Sequence, residues 1–241
     1  MIFPKLCSHI FIFFAVVNIF FSCKNSEKNY LNEGKKLVKE NKPEQAIEYF
    51  NKVIQQNTNN SEAFNLRGVA YFNLQDYTNA LQDYNRSIQL NSKTYKPYNN
   101  RAILYVAMQK PDSALADYTK AIQLSPDTSS LYTYRGFLYY QINKINEAKK
   151  DFDKALIINP KDKEAMFNRA NIFFSEKEFD KAQKYFQKII ALDKNFGRAF
   201  YGLGLAEFYL KNKKNACEYL EKAKKMNVID AEQALKKYCE K

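Results

Sequence analysis

Charged side chains that could bind an anion or pair with each other recur at a regular interval along the chain. The recurring cations are Arg67, Arg101, Arg135 and Arg169, and the recurring carboxylates are Asp83, Asp117 and Asp151. A row of arginines alone would favour an anionic ligand. Because the carboxylates recur in step with the arginines, we favour partly buried ion pairs. We expect each aspartate to lie between the recurring arginine that precedes it in the sequence and the one that follows it.

The side chains that usually carry catalysis are scarce in this sequence. The only histidine is His9, which lies in an N-terminal segment that we expect to be removed. The sequence has no tryptophan, no glycine-rich phosphate loop, and no histidine and cysteine residues at metal-ligand spacing. We therefore predict that the protein is not an enzyme and has no catalytic residue, no cofactor and no metal site.

The N-terminal segment, residues 1–22, has the composition of an export signal. Lys5 is its only charged residue, and the apolar run Ile10–Phe21 is too short for a transmembrane helix. A serine and then Cys23 follow the run, and a small residue directly before a cysteine at this place resembles a bacterial lipobox. The resemblance implies a signal peptide over residues 1–22, a lipidated Cys23 and a short linker over residues 23–26. An uncleaved anchor and ordinary secretion are the alternatives.

The residue after the candidate lipidation site bears on the destination of the protein. Lys24 occupies this place, instead of the aspartate associated with inner-membrane retention in enteric bacteria. We therefore favour the outer membrane, where several acyl chains on Cys23 would hold the protein stably.

The recurring arginines and aspartates belong to a sequence pattern of 34 residues that occurs six times between residues 27 and 230. We number its occurrences repeats 1 to 6. Its eighth position is always small, at Gly34, Gly68, Ala102, Gly136, Ala170 and Gly204, and its twentieth is always alanine. Each repeat has two runs of apolar residues at helical spacing, which predicts a pair of antiparallel amphipathic helices. Small residues allow the two helices to cross closely, and aromatic residues elsewhere in the repeat fill the remaining space.

Repeat 4 carries the pattern most completely, at Tyr132, Gly136, Tyr139, Ala148, Phe152, Ala155 and Pro160. This pattern resembles the tetratricopeptide repeat. The resemblance implies an all-α fold, a right-handed superhelical solenoid of six helix pairs. We expect a C-terminal capping helix after it, because no further repeat covers the apolar face of the last one. The six repeats have the boundaries 27–60, 61–94, 95–128, 129–162, 163–196 and 197–230, and the capping helix occupies residues 231–241.

Export would leave two cysteines in a compartment where disulfides form, because the other two would be removed or lipidated. The remaining pair, Cys217 and Cys239, lies eleven residues either side of Val228, in the hairpin of the last repeat helix and the capping helix. Opposite positions of such a hairpin come together, so we predict a Cys217–Cys239 disulfide that fixes the capping helix. Two unpaired cysteines are the alternative.

The family resemblance also implies a concave groove lined by the first helix of each repeat. On this face we expect Asn65, Phe72, Asn99, Thr133, Phe137, Tyr140, Asn171, Phe174 and Tyr201. Amide side chains can bind the backbone of an extended peptide, and aromatic rings can receive its side chains. We therefore predict a non-catalytic scaffold or adaptor in the bacterial cell envelope, with a protein or peptide partner and no small-molecule substrate.

The positive charge suggests an alternative function. The formal net charge is +12, and the excess lies in the C-terminal half, notably at Lys211, Lys213, Lys214, Lys222, Lys224 and Lys225. An exported protein rarely meets nucleic acid, so we predict no nucleic-acid partner. Anionic envelope polymers or lipid headgroups are the alternative ligands for this half. A lysine-rich surface that contacts only solvent is the simpler explanation.

Overall fold

The structure is a computed structural model that describes residues 26–240. This range contains thirteen α-helices and no strand. The predicted signal peptide and Cys23 lie outside the described residues. The helices are α1 (residues 26–39), α2 (Pro43–Gln56), α3 (Ser61–Asn73), α4 (Tyr77–Leu90), α5 (Tyr95–Ala107), α6 (Pro111–Leu124), α7 (Ser129–Gln141), α8 (Ile145–Ile158), α9 (Lys163–Ser175), α10 (Phe179–Leu192), α11 (Gly197–Tyr209), α12 (Lys213–Lys225) and α13 (Ala231–Tyr238).

The chain forms two compact units, the first ending at Leu124 and the second starting at Ser125. The described part of the first unit contains the helix pairs α1–α2, α3–α4 and α5–α6. The second unit contains the pairs α7–α8, α9–α10 and α11–α12, followed by α13. Helices that are consecutive in the chain contact each other from α2 to α6 and from α7 to α13. The predicted all-α fold of helix pairs with a final helix is confirmed.

Close helix crossing explains the small residues of the repeat. A Cβ atom on Gly34 would lie 2.4 Å from the ring of Phe50, and one on Gly136 would lie 2.9 Å from the ring of Phe152. Cβ atoms do not approach other atoms this closely, so these crossings depend on glycine. The alanines of the twentieth position are all fully buried, at Ala46, Ala80, Ala114, Ala148, Ala182 and Ala216. The predicted packing role of these positions is confirmed.

The turn within each helix pair contains a residue with left-handed backbone conformation. These residues have φ between 57° and 68°, and they are Asn41, Gln75, Gln109, Asn143, Lys177 and Lys211. In repeat 2 the N–H of Gln75 donates to the carbonyl of Phe72 and the N–H of Asp76 donates to the carbonyl of Tyr71, both at 2.9 Å. This double hydrogen bond is the Schellman motif, which ends the first helix and reverses the chain.

Helix α13 covers the apolar side of repeat 6. Ala234 and Leu235 of α13 pack against Leu220 of α12, and Ala231 packs in a cluster with Ala223 and Phe200. A terminal repeat has no following repeat to bury this surface, and a polar final helix does so instead. Within residues 26–240, no helix is both long enough and apolar enough to cross a membrane.

Candidate functional site

Arg67 connects two consecutive repeats through its guanidinium group. Its Nε and Nη2 donate to the two carboxylate oxygens of Asp83 in its own repeat, both at 2.8 Å. Its Nη1 donates to Oδ1 of Asn51 in the preceding repeat, at 2.6 Å. A planar guanidinium has five donors, so it can bind a carboxylate with one edge and an amide with another. Arg67 is therefore a structural link between repeats.

Arg101 has the same arrangement one repeat later. It donates to both oxygens of Asp117, at 2.7 and 2.8 Å, and to Oδ1 of Asn85 in the preceding repeat, at 2.6 Å. Arg135 binds both oxygens of Asp151 at 2.8 Å. The recurring arginine thus binds the aspartate of its own repeat in the same way in repeats 2, 3 and 4.

The predicted ion pairs are present, but their predicted geometry was wrong. We expected each aspartate to lie between two arginines, whereas one guanidinium occupies both oxygens of Asp83. The group that reaches the neighbouring repeat is the arginine. Burial raises the pKa of Asp83, although the hydrogen bonds from Arg67 oppose this shift, and the same bonds raise the pKa of Arg67. These arginines and aspartates bind each other, so the arginines do not form a row of free cations that could bind an anionic ligand.

The polar residues predicted for the groove differ in their accessibility. Thr133 is 4% exposed, and its hydroxyl donates to Oδ2 of Asp162 at 2.9 Å. Asn65 is 6% exposed and accepts a hydrogen bond from Asn100 of the next repeat at 2.9 Å. Asn99 and Asn171 are half-buried. The structure therefore places Asn65 and Thr133 almost entirely beneath the surface, so they expose little for a partner to contact.

One aromatic residue predicted for the groove is well exposed. Phe137 of α7 exposes 43% of its surface, and Tyr134 exposes 45% three residues earlier on the same helix. Tyr209 of α11 exposes 44%. Sequence reasoning missed Tyr134 and Tyr209, although the three-residue interval between Tyr134 and Phe137 is a usable signal for a shared helix face. The first helices α7, α9 and α11 contact each other in order within the second unit.

The remaining predicted aromatic residues, Phe72, Tyr140, Phe174 and Tyr201, are half-buried. The ring of Phe174 meets those of Phe179 and Tyr209 at centroid distances of 5.2 and 5.6 Å. Phe179 and Tyr209 stack on each other at 4.7 Å. These three rings form an aromatic cluster that joins repeats 5 and 6. Sequence reasoning missed Phe179, because it belongs to a second helix and we considered only first helices for this face.

Phe72 and Tyr201 make packing contacts instead. The ring of Phe72 stacks on that of Tyr77 at 5.8 Å. Tyr201 packs among the residues that contact α13, and its burial raises the pKa of its hydroxyl. These two predicted groove residues therefore support neighbouring helices, and Phe137 presents the larger surface to a partner.

Models of one repeat family match the chain almost from end to end. The tetratricopeptide repeat model matches residues 61–93, 95–128, 129–162 and 164–196, and a second tetratricopeptide repeat model matches residues 27–60 and 197–227. The chain belongs to the tetratricopeptide repeat family. Tetratricopeptide repeats generally mediate protein–protein interaction and are generally non-catalytic. No curated protein matches the sequence.

Solved structures of low sequence identity share the tetratricopeptide repeat fold. A structure from a functional characterization of Pseudomonas aeruginosa pilF is 17% identical, covers 89% of this chain and 98% of that one, and has a TM-score of 0.81. YrrB, described as a TPR protein with an unusual peptide-binding site, is 23% identical over 78% of this chain and 97% of that one, with a TM-score of 0.61. A tetratricopeptide repeat protein from Parabacteroides merdae is 21% identical, covers 84% and 80%, and has a TM-score of 0.67.

The sixth tetratricopeptide repeat is joined covalently to the final helix. The sulfur atoms of Cys217 in α12 and Cys239 at the end of α13 are 2.12 Å apart, and their Cα atoms are 5.8 Å apart. The two predicted partners are thus bonded to each other in the structure. In the described part of the chain, no three His, Cys, Asp or Glu side chains are grouped as they would be around a metal ion.

Proposed function

We propose that this tetratricopeptide repeat protein is a non-catalytic scaffold or adaptor that is anchored in a bacterial cell envelope and binds a protein or extended peptide. The observation that carries this proposal is the exposure of Tyr134, Phe137 and Tyr209 on the first helices of the second unit. Most other aromatic side chains of the second unit are buried or half-buried against neighbouring helices. These three expose more than two fifths of their surface, which a partner could cover. Burial of aromatic rings contributes strongly to protein interfaces.

An extended peptide is the occupant that suits this face best. The aromatic residues lie on first helices of one unit, so successive side chains of a peptide could each meet a ring, while half-buried Asn171 could bind its backbone. The description of YrrB as having a peptide-binding site supports the same kind of ligand in a protein of this fold.

The anchor is proposed from the sequence around Cys23. An apolar run that is too short to span a bilayer, ending in serine and cysteine, favours removal of residues 1–22 and lipidation of Cys23. Two or more acyl chains would give a stable attachment to the membrane. The paired Cys217 and Cys239 agree with export, since disulfides persist in oxidising compartments. Lys24 favours the outer membrane as the destination.

Site-specific crosslinking in intact bacterial cells tests the scaffold proposal. A photo-reactive amino acid at Phe137 should capture a defined partner, whereas the same group at Ile157, which is 74% exposed on a second helix, should not. The double variant Phe137→Ala/Asn171→Ala should reduce binding of the purified partner. Equal capture from both positions, or unchanged binding by the double variant, would refute the role of this face.

Fractionation tests the anchor separately. The full-length protein should be recovered with membranes, and Cys23→Ser should release it or leave it as an unprocessed precursor. Metabolic labelling with a fatty acid should mark the wild-type protein and not the variant. If the variant is labelled and localised like the wild type, the lipid is not attached at Cys23.

Binding of anionic envelope polymers or lipid headgroups remains the second candidate. Its support is the group of exposed lysines on and after α12, including Lys222 and Lys225. These two lysines line a cleft together with Glu218 and Glu221, so carboxylates interrupt the positive surface. We therefore rank this candidate below the scaffold. Salt-sensitive binding to vesicles of anionic lipid, lost in Lys222→Gln/Lys225→Gln, would reverse that ranking.

A further inference from the structure

The start of α1 is fixed to the turn that joins α2 and α3. Oε1 of Glu27 accepts hydrogen bonds from Nδ2 of Asn57 at 3.0 Å and from Nδ2 of Asn60 at 2.7 Å. The hydroxyl of Ser26 donates to Oε1 of Gln56, at the end of α2, at 3.1 Å. Helix α1 therefore begins at a defined place in the fold, beside the junction of repeats 1 and 2.

The junction of repeats 2 and 3 lies along the same edge of the first unit. The start of α3, the end of α4, the start of α5 and the end of α6 line one open cleft. The hydroxyl of Ser87 in α4 donates to the carbonyl of Ser61 in α3 at 2.7 Å, and Lys35 of α1 pairs with Glu62 of α3, also at 2.7 Å. First helices thus begin, and second helices end, at one edge.

We call this edge the junction edge, and it consists of the start of α1 and the turns 57–60 and 91–94. The turns within the helix pairs form the opposite edge, and they are residues 40–42, 74–76 and 108–110. Helix α5 connects the two edges with 13 residues, which corresponds to about 20 Å.

The candidate lipidation site lies three residues before the first residue of α1, from Cys23 to Ser26. A chain of three residues extends at most about 11 Å. A lipid on Cys23 would therefore hold the start of α1 close to the headgroups of the bilayer. Because Glu27 binds the start of α1 to the turn 57–60, the attachment acts on the folded repeats.

The exposed residues of the junction edge suit a layer of phospholipid headgroups. Lys28, Lys93 and Lys96 are exposed, and none of them forms an ion pair with another residue of the described range. The carboxylates of this edge are already bound, Glu27 by two amides and Glu62 by Lys35. Lysines near an anionic leaflet are attracted to it, so this edge favours contact with the bilayer.

The opposite edge has the reverse balance of charge. Its turns, with the first two residues of each following helix, contain four carboxylates and two lysines. These residues are Glu40, Glu44, Asp76, Asp112, Lys42 and Lys110. An anionic leaflet repels such a surface. At about 20 Å along α5, this edge also lies beyond the Debye length of about 8 Å at physiological ionic strength.

We propose that the junction edge of the first unit lies on the headgroup layer of the membrane, with Lys28, Lys93 and Lys96 in contact with anionic phospholipid headgroups. This orientation rests on the proposed attachment at Cys23 and deepens it, because it assigns the surface of the repeats that meets the bilayer. The helices of the first unit run from the bilayer outward, and the sides of its first helices stay open to a partner from the aqueous phase.

Acetylation of the native lysines, measured by mass spectrometry, tests the orientation. The full chain is produced in bacteria, and the mature lipidated protein is inserted into preformed vesicles of phosphatidylethanolamine and phosphatidylglycerol. The same protein in dodecyl maltoside is the reference. We expect Lys93 and Lys96 to react about threefold to tenfold more slowly on the vesicles. Lys110, an exposed lysine at the other end of α5, should react at the same rate in both samples.

A matched pair of reporter variants repeats the comparison at new positions. Asn59→Lys and Gln75→Lys each add one exposed amine, in the turns before and after α3. Gln75 has φ of 61°, and lysine already occupies the equivalent position at Lys177 and Lys211. The amine added at position 59 should be protected on the vesicles, and the amine added at position 75 should not. Equal protection of the two, or stronger protection of Lys110 than of Lys96, would overturn the orientation.

The role of the lysines has its own test in the Asn59→Lys background. Lys93→Gln/Lys96→Gln should reduce the protection of the added amine by about twofold to threefold. The control Lys110→Gln/Lys120→Gln removes two exposed lysines of the same unit and should leave that protection unchanged. Equal protection in the two double variants would mean that Lys93 and Lys96 do not contact the headgroups.

The mass of the N-terminal peptide in the same samples separates this orientation from the anchor itself. Absence of lipid on Cys23 would refute the proposed anchor, and the orientation with it. Lipid on Cys23 together with equal reactivity at the two edges would refute the orientation alone.

Discussion

Arg169 donates from its Nε to Oδ1 of Asp153 in the preceding repeat at 2.8 Å, because its own repeat has Tyr185 where repeats 2 to 4 have an aspartate. The guanidinium lies 4.0 Å from the centroid of the Phe173 ring. Its Nη1 is buried and has no hydrogen-bond partner within the described range. Repeat 5 therefore has the recurring arginine but lacks the aspartate that, in repeats 2 to 4, accepts two hydrogen bonds from this arginine.

Tyr185→Asp should supply the missing carboxylate to Arg169. The change also removes a ring that packs 5.5 Å from that of Phe173, so its net effect on stability combines a gain and a loss. A double-mutant cycle with Arg169→Leu isolates the gain. We expect Tyr185→Asp to be more destabilising by about 1.5–3 kcal/mol when Arg169 is absent. The free energy of unfolding in urea measures this, and equal costs in both backgrounds would disprove the contact.

Asp83→Ala should destabilise the protein about twice as much as Asn51→Ala. Removing Asp83 leaves the partly buried guanidinium of Arg67 without its counter-charge, which costs about 3 kcal/mol. Removing the amide of Asn51 takes away one neutral acceptor from the same guanidinium, at about 1.5 kcal/mol. Urea unfolding of the two single variants gives the comparison. Similar losses for both would mean that Arg67 depends on the neighbouring repeat as much as on its own aspartate.

The sequence predicted the members of these ion pairs but not which group would bridge the repeats. Arg67 and Asp83 are conspicuous because their residue types recur at the repeat interval. The second partner of Arg67 is Asn51, and its equivalents are Asn85 and Asp153, so this position changes residue type from repeat to repeat. A polar residue on a helix surface is too common to be recognised as a partner without coordinates.

The sequence period also predicts on which face of a helix a residue lies better than it predicts how much of its side chain is exposed. Asn65 and Phe137 were both assigned to the first-helix face, yet Asn65 is 6% exposed and Phe137 is 43% exposed. The difference arises because Asn100 of the next repeat covers Asn65, a long-range contact that no local pattern encodes. The glycine crossings were predictable because a single repeat contains both the glycine and the ring that it meets.

Lys177→Gly should stabilise the protein by about 0.5–1 kcal/mol, because Lys177 has φ of 63°, a conformation that costs a residue with a Cβ atom more than it costs glycine. The greater entropy of glycine in the unfolded chain reduces this gain without reversing it. Asn143→Gly, at the same position of repeat 4, should gain less, because asparagine tolerates this region. Thermal unfolding of both variants checks the order, and destabilisation of Lys177→Gly would contradict the argument.

Removing the disulfide should increase local unfolding of α13 more than it increases unfolding of the repeats. The bond joins residues separated by 22 positions, and a loop of this length corresponds to about 3 kcal/mol in the chain-entropy model. Helix α13 has only eight residues and three buried apolar side chains, Ala231, Ala234 and Leu235. We therefore expect Cys217→Ala/Cys239→Ala to accelerate amide hydrogen exchange in α13 markedly.

The same experiment distinguishes a local from a global role for the bond. Exchange in α7 to α9 should change little in the double variant, because none of these helices makes extensive contact with α13. Exchange at Leu220, Ala223 and Phe200 should rise with that of α13, since these residues lie beneath it. Leu235→Ala with the disulfide intact is the matched control, and it should weaken packing while keeping α13 attached. If α13 exchanges no faster in the double variant than in this control, packing alone holds the helix on repeat 6.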